Sequence, residues 1–81
     1  MTVTVYTQPH CYPCDATKRR MTKKGINFEV KDAQEQGQAW IEVQRKRGMV
    51  ATPIVTVTDD TGVETAAWAG FQPTKIDTLV H

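Results

Sequence analysis

The sequence predicts an α/β fold with the element order βαβαββα, in which a four-stranded mixed sheet is flanked by three helices. Three observations predict it. A strand, a helix and a second strand fit within residues 1–30, an order that implies a parallel strand pair. A strong turn signal at residues 59–62 separates two later strand-like segments and implies an antiparallel hairpin. A glycine closes each of the two longer helical segments.

The first three elements are predicted from alternation and helical spacing. Strand-favouring residues alternate over residues 1–7, which predicts the first strand. A helix follows from Cys14 and is closed by Gly25. Its modest apolar face consists of Cys14, Thr17 and Met21. Alternation returns over residues 26–30, the predicted second strand.

A second helix follows this strand. Asp32 fits the N-cap of a capping box, and Gly37 delays the helical start if the cap is not used. The helix ends at Gly48 and is expected to present Trp40 and Val43 to the core.

The remaining elements are two strands and a short helix. The third strand is predicted at residues 52–57 and the fourth at residues 63–68. A proline lies near the start of the third strand, where its missing N–H disturbs the hydrogen bonds between strands least. Pro73 suits the first turn of a last helix. Its apolar residues are Ile76, Leu79 and Val80.

Composition limits the classes of function. The 81 residues are 40% hydrophobic and 23% charged, as in one small globular domain, which we place at residues 1–81. The net charge is +1, so the overall charge indicates no nucleic-acid or membrane partner. No apolar run approaches the roughly twenty residues that span a bilayer, and no signal-peptide pattern opens the chain. We expect a cytoplasmic protein, and we expect it to be a monomer.

The two cysteines, Cys11 and Cys14, are separated by two residues. A disulfide between them closes almost no loop and therefore restricts the unfolded chain very little, which favours a chemical over a structural role. The pair lies where the first strand gives way to the first helix. Unpaired N–H groups at a helix start stabilise a thiolate, which lowers the pKa of Cys11 below that of a free thiol. We expect Cys11 to attack and Cys14 to resolve.

Metal ligation is the alternative reading of this spacing, because half a zinc site or an iron–sulfur ligand pair has the same pattern. A structural zinc site needs two further Cys or His ligands, and the chain offers only His10 and His81. His10 adjoins Cys11 and is poorly placed to share a metal with it. We expect no metal within one chain. A metal-binding adaptor, or an iron–sulfur cluster bridging two chains, stays open as an alternative function.

Four features, spread along essentially the whole chain, carry a family resemblance. They are Val-Thr-Val-Tyr-Thr at residues 3–7, Cys11-x-x-Cys14 entering a basic helix, Thr52-Pro53 opening the third strand, and Trp-Ala-Gly-Phe-Gln-Pro at residues 68–73. With these features the chain resembles the NrdH-redoxins, glutaredoxin-like members of the thioredoxin-fold superfamily. Ala69 and Gln72 depart from the Ser and Arg usual there, and Tyr12-Pro13 departs from the usual residues between the cysteines.

The resemblance implies a thioredoxin fold and a dithiol–disulfide oxidoreductase with thioredoxin-like activity. Such a redoxin carries electrons from thioredoxin reductase to ribonucleotide reductase and uses no cofactor beyond its Cys11–Cys14 disulfide. Glutathione-dependent glutaredoxins carry Gly-Gly and then an acidic pair where this chain has Ala69-Gly70 followed by Phe71. The glutathione site is therefore incomplete, and a glutathione-dependent glutaredoxin is the alternative within this class.

The same resemblance assigns residues around the cysteines. The Thr52-Pro53 bond is expected to be cis, so that the Thr52 backbone is offered to an extended partner chain. Tyr12 and Pro13 form the redox loop. Gly70 and Phe71 lie in the loop before the last helix, with Phe71 expected as an exposed apolar docking residue. Trp68 also belongs to this region. Because it is the last residue of the predicted fourth strand, it is expected to pack in the core.

Overall fold

The computed structural model describes residues 1–80, so His81, considered above as a metal ligand, lies outside the described residues. The strands are β1 (Thr2–Thr7), β2 (Glu29–Asp32), β3 (Ile54–Thr58) and β4 (Glu64–Ala69). The helices are α1 (Tyr12–Lys23), α2 (Gln38–Lys46) and α3 (Pro73–Asp77), with a single 3-10 turn at Gln34–Gln36 before α2. The predicted order is confirmed. Within residues 1–80, no helix is long and apolar enough to cross a bilayer.

The four strands form one mixed sheet in the order β2-β1-β3-β4. β1 is parallel to β2 and antiparallel to β3, and β3 and β4 form the predicted antiparallel hairpin. Val5 stands opposite Val55, and Val55 opposite Trp68. Because β1 and β3 are neighbours running in opposite directions, the end of β1 lies beside the start of β3. The loop that follows β1 is thereby placed next to the residues that precede β3.

The main core lies between one face of this sheet and the helices α1 and α3. Its buried members are Val3, Val5, Met21, Ile26, Val55, Val57, Trp68 and Ile76. Tyr6 points to the opposite face because side chains alternate along a strand, and its ring meets that of Trp40 from α2 at a centroid distance of 4.5 Å. The sheet therefore separates α2 from the other two helices.

The second strand begins three residues later than predicted, at Glu29. The reason is the end of α1. The Gly25 N–H donates to the Thr22 carbonyl at 3.1 Å, and the Ile26 N–H donates to the Met21 carbonyl at 2.9 Å. This is a Schellman motif, with Gly25 at a φ of 74°. Ile26 is thus part of the helix cap and packs in the core, rather than pairing with β1.

The second helix uses the later of its two possible starts. Asp32 accepts the Gln34 N–H at 2.8 Å, which closes a short turn instead of capping α2. Gly37, at a φ of 91°, interrupts the helical path, and α2 starts directly after it.

The predicted core face of α2 is wrong at Val43, which is 52% exposed. Gln44 is buried in its place, and Trp40, which was also predicted to face the core, is half-buried against Tyr6. Trp40 and Gln44 are four positions apart and lie on the covered side of the helix, whereas Val43 is about 100° of helical rotation away from Gln44.

The last strands and helix are displaced by one or two residues from their predicted bounds. β3 begins at Ile54 because Pro53 has no N–H to donate to the ladder. α3 ends at Asp77, so of its three predicted apolar residues Ile76 is buried, Leu79 is half-buried and Val80 is exposed.

Candidate redox site

Cys11 is the N-cap residue of α1. Its backbone is extended, and its Sγ accepts the Cys14 N–H at 3.2 Å. The two cysteines form a disulfide, with their Cα atoms 5.2 Å apart. An N-cap acceptor satisfies one of the unpaired N–H groups at the helix start, where the helix dipole also favours negative charge. The position therefore stabilises a thiolate on Cys11 once the disulfide is reduced.

Thr52 supplies a second donor to the same sulfur. Its Oγ1 lies 3.3 Å from Cys11 Sγ, and because a disulfide sulfur carries no hydrogen, the hydroxyl is the donor. The Thr52-Pro53 peptide bond is cis, as the resemblance implies. Only the backbone of Thr52 was expected to take part, and no local pattern in the sequence indicates its hydroxyl. The contact joins residues 41 positions apart and arises from the β1–β3 pairing.

The two cysteines differ in access. Cys11 is 8% exposed and Cys14 is 1% exposed, which is the predicted order. Tyr12, between them, is 77% exposed. Tyr12 and Pro13, predicted as a loop before a helix that starts at Cys14, instead form the first turn of α1. The Thr17 hydroxyl donates to the Pro13 carbonyl at 2.9 Å within this helix. An incoming disulfide can therefore reach Cys11 first, while Cys14 stands behind it.

The loop after β4 borders the cis-proline. The Gly70 N–H donates to the Pro53 carbonyl at 2.8 Å, and the Gln72 amide donates to the Ala69 carbonyl at 2.8 Å. Gln72 thus stabilises this loop with its side chain, a role that the sequence did not reveal. Phe71 is 41% exposed, which confirms its predicted exposure.

Trp68 is buried in the core, as expected. Its indole Nε1 finds no hydrogen-bond partner within residues 1–80. The side chain therefore contributes apolar packing on the main core face rather than a polar group to the redox site.

His10, immediately before Cys11, is exposed and has a φ of 59°, in the left-handed region that His adopts more often than most residues. Its side chain makes no hydrogen bond or salt bridge within residues 1–80. In the same part of the chain, no group of three or more His, Cys, Asp or Glu side chains is arranged to hold a metal ion.

A charge pair ties α1 to α3 at the end of α1 that lies away from the cysteines. Arg20 donates to Asp77 through Nε at 3.1 Å and Nη2 at 2.6 Å, and Lys24 lies 3.9 Å from the same carboxylate. The hydrogen bond from Arg20 lowers the pKa of Asp77, and the same bond raises the pKa of Arg20. Part of the basic face of α1 is therefore occupied by a structural contact.

A disulfide at a helix N-terminus, facing a cis-proline at the start of a central strand, defines a thiol–disulfide oxidoreductase with a thioredoxin-like fold. Comparison with known proteins agrees. The family model described as glutaredoxin matches residues 3–62. The chain belongs to the glutaredoxin family, and within that family it is similar to the glutaredoxin-like NrdH proteins.

Two curated relatives and one solved structure illustrate this membership. The glutaredoxin-like protein NrdH of Escherichia coli K12 is 34% identical over 79 residues, which cover 98% of this chain and 89% of that protein. The Gene 56 protein of Mycobacterium phage L5 is 31% identical over 78 residues, covering 96% of this chain and 71% of that protein. The solved structure of NrdH-redoxin from Escherichia coli superposes with a TM-score of 0.78 at 32% identity, covering 100% of this chain and 97% of the other.

Proposed function

We propose that the protein is an electron carrier that takes electrons from thioredoxin reductase and passes them to a protein disulfide, with ribonucleotide reductase as its client. The Cys11 thiolate attacks the client disulfide and forms a mixed disulfide, releasing one client thiolate. Cys14 then attacks Cys11 Sγ and releases the second client thiolate. The carrier is left with the Cys11–Cys14 disulfide, which the reductase returns to the dithiol. The reaction needs no cofactor in this chain.

The observation that carries this proposal is the environment of Cys11 Sγ. Two donors reach it, the Cys14 N–H at 3.2 Å and the Thr52 hydroxyl at 3.3 Å. Within residues 1–80, Cys14 Sγ accepts no such pair of hydrogen bonds, and Cys14 is the more buried residue. The arrangement favours thiolate on the accessible sulfur and leaves the other to resolve the mixed disulfide.

The choice of electron donor is supported by the loop after β4. Residues 70–73 read Gly-Phe-Gln-Pro, without the acidic pair that glutathione-binding glutaredoxins use there. The Gln72 amide donates within the loop, and Phe71 presents an apolar ring instead of a charge. The E. coli NrdH-redoxin is described as having a thioredoxin-like activity profile, which supports the same donor. A carrier cycling through a dithiol suits the reducing cytoplasm, where we place it.

The donor is tested by following NADPH oxidation with each reducing system over one disulfide substrate. We expect thioredoxin reductase to support rapid turnover and glutathione with glutathione reductase to support slow turnover. Glutathione that matches or outruns thioredoxin reductase would establish the glutathione-dependent alternative. The absorbance spectrum of the purified protein tests the adaptor alternative, because an iron–sulfur cluster colours a protein and a dithiol does not.

The roles of the two cysteines are tested by single substitutions. Cys11→Ser is expected to abolish disulfide reduction, whereas Cys14→Ser keeps the nucleophile and accumulates a mixed disulfide that is visible on a non-reducing gel. Mass spectrometry of proteins trapped by Cys14→Ser in cells tests the assignment of ribonucleotide reductase as the client. Trapping by Cys11→Ser and not by Cys14→Ser would reverse the two roles.

A further inference from the structure

One side of α1 faces away from the core along the whole helix. The buried residues of the helix are Cys14, Thr17 and Met21. Each residue turns the helix by about 100°, so positions 12, 16, 19 and 23 lie opposite the buried side. Three of these four side chains are exposed, and the alanine among them is half-buried. We call this set the outer stripe of α1, and its members are Tyr12, Ala16, Arg19 and Lys23.

The outer stripe begins at the disulfide. Tyr12 follows Cys11 directly and is 77% exposed. Because an α-helix rises about 1.5 Å per residue, Arg19 lies about 10 Å and Lys23 about 16 Å along the helix axis from Tyr12. Beyond the small side chain of Ala16, the stripe is therefore cationic. A chain whose disulfide meets Cys11 and which continues along α1 passes both cations.

Arg19 and Lys23 differ from the neighbouring cations in having no carboxylate partner. The other three cations of residues 11–25 lie within 3.9 Å of an aspartate oxygen, and they are Lys18, Arg20 and Lys24. Within residues 1–80, neither Arg19 nor Lys23 forms a salt bridge. The two are four positions apart, so their like charges are neighbours on the helix surface, which destabilises a helix. A bound anion would relieve this repulsion and supply the missing partner.

The charges of the chain are divided unevenly around these two residues. Residues 11–25 and 70–80, which include α1 and α3, contain six Lys or Arg against two Asp. Residues 26–69, which include α2 and three strands, contain four Lys or Arg against seven Asp or Glu. The overall charge of +1 thus conceals a positive α1 side. Such a field attracts a negatively charged partner to that side and orients it there.

We propose that the outer stripe of α1 binds an acidic segment of the client protein beside the attacked disulfide. The inference rests on the proposed function and adds the chemistry of the client to it. An extended chain advances about 3.3 Å per residue, so carboxylates three to five residues from the attacked cysteine reach Arg19 and Lys23. A nucleic acid or an anionic membrane engages a larger set of cations, and neither carries the disulfide that Cys11 attacks. Arg19 and Lys23 are therefore specificity residues for the client.

The test uses three synthetic peptides, each with an internal disulfide and Gly-Ser flanks. The first carries Glu at the third and fifth residues from each cysteine, which face the same side of an extended chain. The second carries Lys at these positions, and the third carries the Glu residues at the seventh and ninth positions, beyond the stripe. The fully reduced protein converts each peptide disulfide to the dithiol and becomes oxidised itself, and fluorescence dequenching gives the second-order rate constant.

The expected rates follow from the spacing and the sign of the charges. At low salt the first peptide should react about three- to tenfold faster than the second. It should react about two- to threefold faster than the third, which has the same charge at the wrong distance. Both preferences should shrink as salt is added, because the pairs are exposed.

Matched variants connect these preferences to the stripe. Arg19→Glu/Lys23→Glu and Lys31→Glu/Lys46→Glu change the net charge equally. Lys31 and Lys46 are exposed, lie outside α1 and also form no salt bridge within residues 1–80. We expect Arg19→Glu/Lys23→Glu to abolish or invert the preference for Glu over Lys, and Lys31→Glu/Lys46→Glu to retain it. Arg19→Gln/Lys23→Gln, which only neutralises the stripe, should remove most of the preference without inverting it.

An uncharged substrate separates the ways in which the proposal could fail. All variants should reduce bis(2-hydroxyethyl) disulfide at nearly the rate of the unmodified protein, and the Gln variant decides the proposal if the Glu variant does not fold. Equal rates for the three peptides, with normal reduction of this small disulfide, would overturn the stripe and leave the redox function standing. No reduction of the small disulfide by the unmodified protein would overturn the redox function and the stripe together.

Two binding measurements address the other anions. The unmodified protein is sedimented with vesicles of phosphatidylserine and phosphatidylcholine, and is mixed with a short single-stranded DNA in a mobility-shift assay. We expect no binding that Arg19→Glu/Lys23→Glu removes. Binding that this variant abolishes, together with equal rates for the three peptides, would assign the stripe to a lipid surface or a nucleic acid and not to a client segment.

Discussion

Replacing Thr52 by Val tests the part of the redox site that depends most on tertiary structure. Valine is similar in shape to threonine but has no hydroxyl, so the change removes one of the two donors to Cys11 Sγ. The other donor, the Cys14 N–H, belongs to the backbone of α1 and is unaffected. We therefore expect Thr52→Val to raise the pKa of the Cys11 thiol toward its ordinary value, without restoring that value fully.

The size of the effect follows from the contact. A hydrogen bond to a charged group contributes about 1.5–3 kcal/mol. The 3.3 Å contact involves sulfur, a weaker acceptor than oxygen, and the side chain of a half-buried residue, so a value below this range, about 1 kcal/mol, applies. A loss of about 1 kcal/mol corresponds to about fivefold less thiolate at a pH well below the pKa. The rate of alkylation of Cys11 should fall by the same factor there.

The assay is iodoacetamide labelling of the reduced protein over a range of pH, with mass spectrometry to distinguish Cys11 from Cys14. The two proteins should differ about fivefold at acidic pH and converge at alkaline pH, where both thiols are ionised. Thr56→Val is the control, because Thr56 lies on β3, is half-buried like Thr52, and makes no hydrogen bond with either cysteine within residues 1–80. Labelling curves of Thr52→Val and the unmodified protein that coincide at every pH would refute the reasoning.

Two other predictions concern stability and docking. Asp77→Asn removes a carboxylate whose pKa the Arg20 hydrogen bond lowers. A carboxylate whose pKa is lower in the folded than in the unfolded protein adds stability. This contribution is fully present above the ordinary aspartate pKa and is lost as the pH falls through the lowered pKa of the folded state. The Tm difference between Asp77→Asn and the unmodified protein should therefore be constant near neutral pH and should disappear as the pH falls below about 4. Glu42→Gln, an exposed control, should have nearly the same Tm as the unmodified protein at every pH. A difference that persists in strong acid would contradict the assignment. Phe71→Ser should raise the KM for thioredoxin reductase by about three- to tenfold, with a change of less than about 0.5 kcal/mol in unfolding free energy, while Val63→Ser, exposed at the far end of the β3–β4 hairpin, should leave KM unchanged. Equal KM values for the two variants would remove Phe71 from the docking surface.

Much of the fold could be predicted from the sequence because its signals are local. Gly25 and Gly48 were predicted to end the two longer helices, and each occupies the left-handed position of a Schellman motif. The turn at residues 59–62 was predicted to connect two antiparallel strands, and Asp59 there accepts backbone N–H groups from Thr61 and Val63. Helix ends and tight turns depend on a few neighbouring residues, so the identity of those residues is enough to predict them.

The redox motif was also local in part. Cys11 could be placed at the start of α1 from the pattern alone, because the change from strand to helix is visible in the spacing of apolar residues. The relative exposure of Cys11 and Cys14 follows from the same position, one at the cap and one nearly a turn inside the helix.

Only the tertiary structure decided what surrounds that motif. The Thr52 hydroxyl meets Cys11 because β1 and β3 pair in one particular register, and strand register depends on contacts distant in sequence. Gln44, and not Val43, faces inward because the packing of α2 against the sheet sets which side of that helix is covered. A groove beside Thr52 is lined by Gln8, which follows β1, by α2 and by the segment leading into β3, so no single stretch of sequence contains it. Local chemistry determined where the reactive sulfur lies, and non-local packing determined its second hydrogen-bond donor.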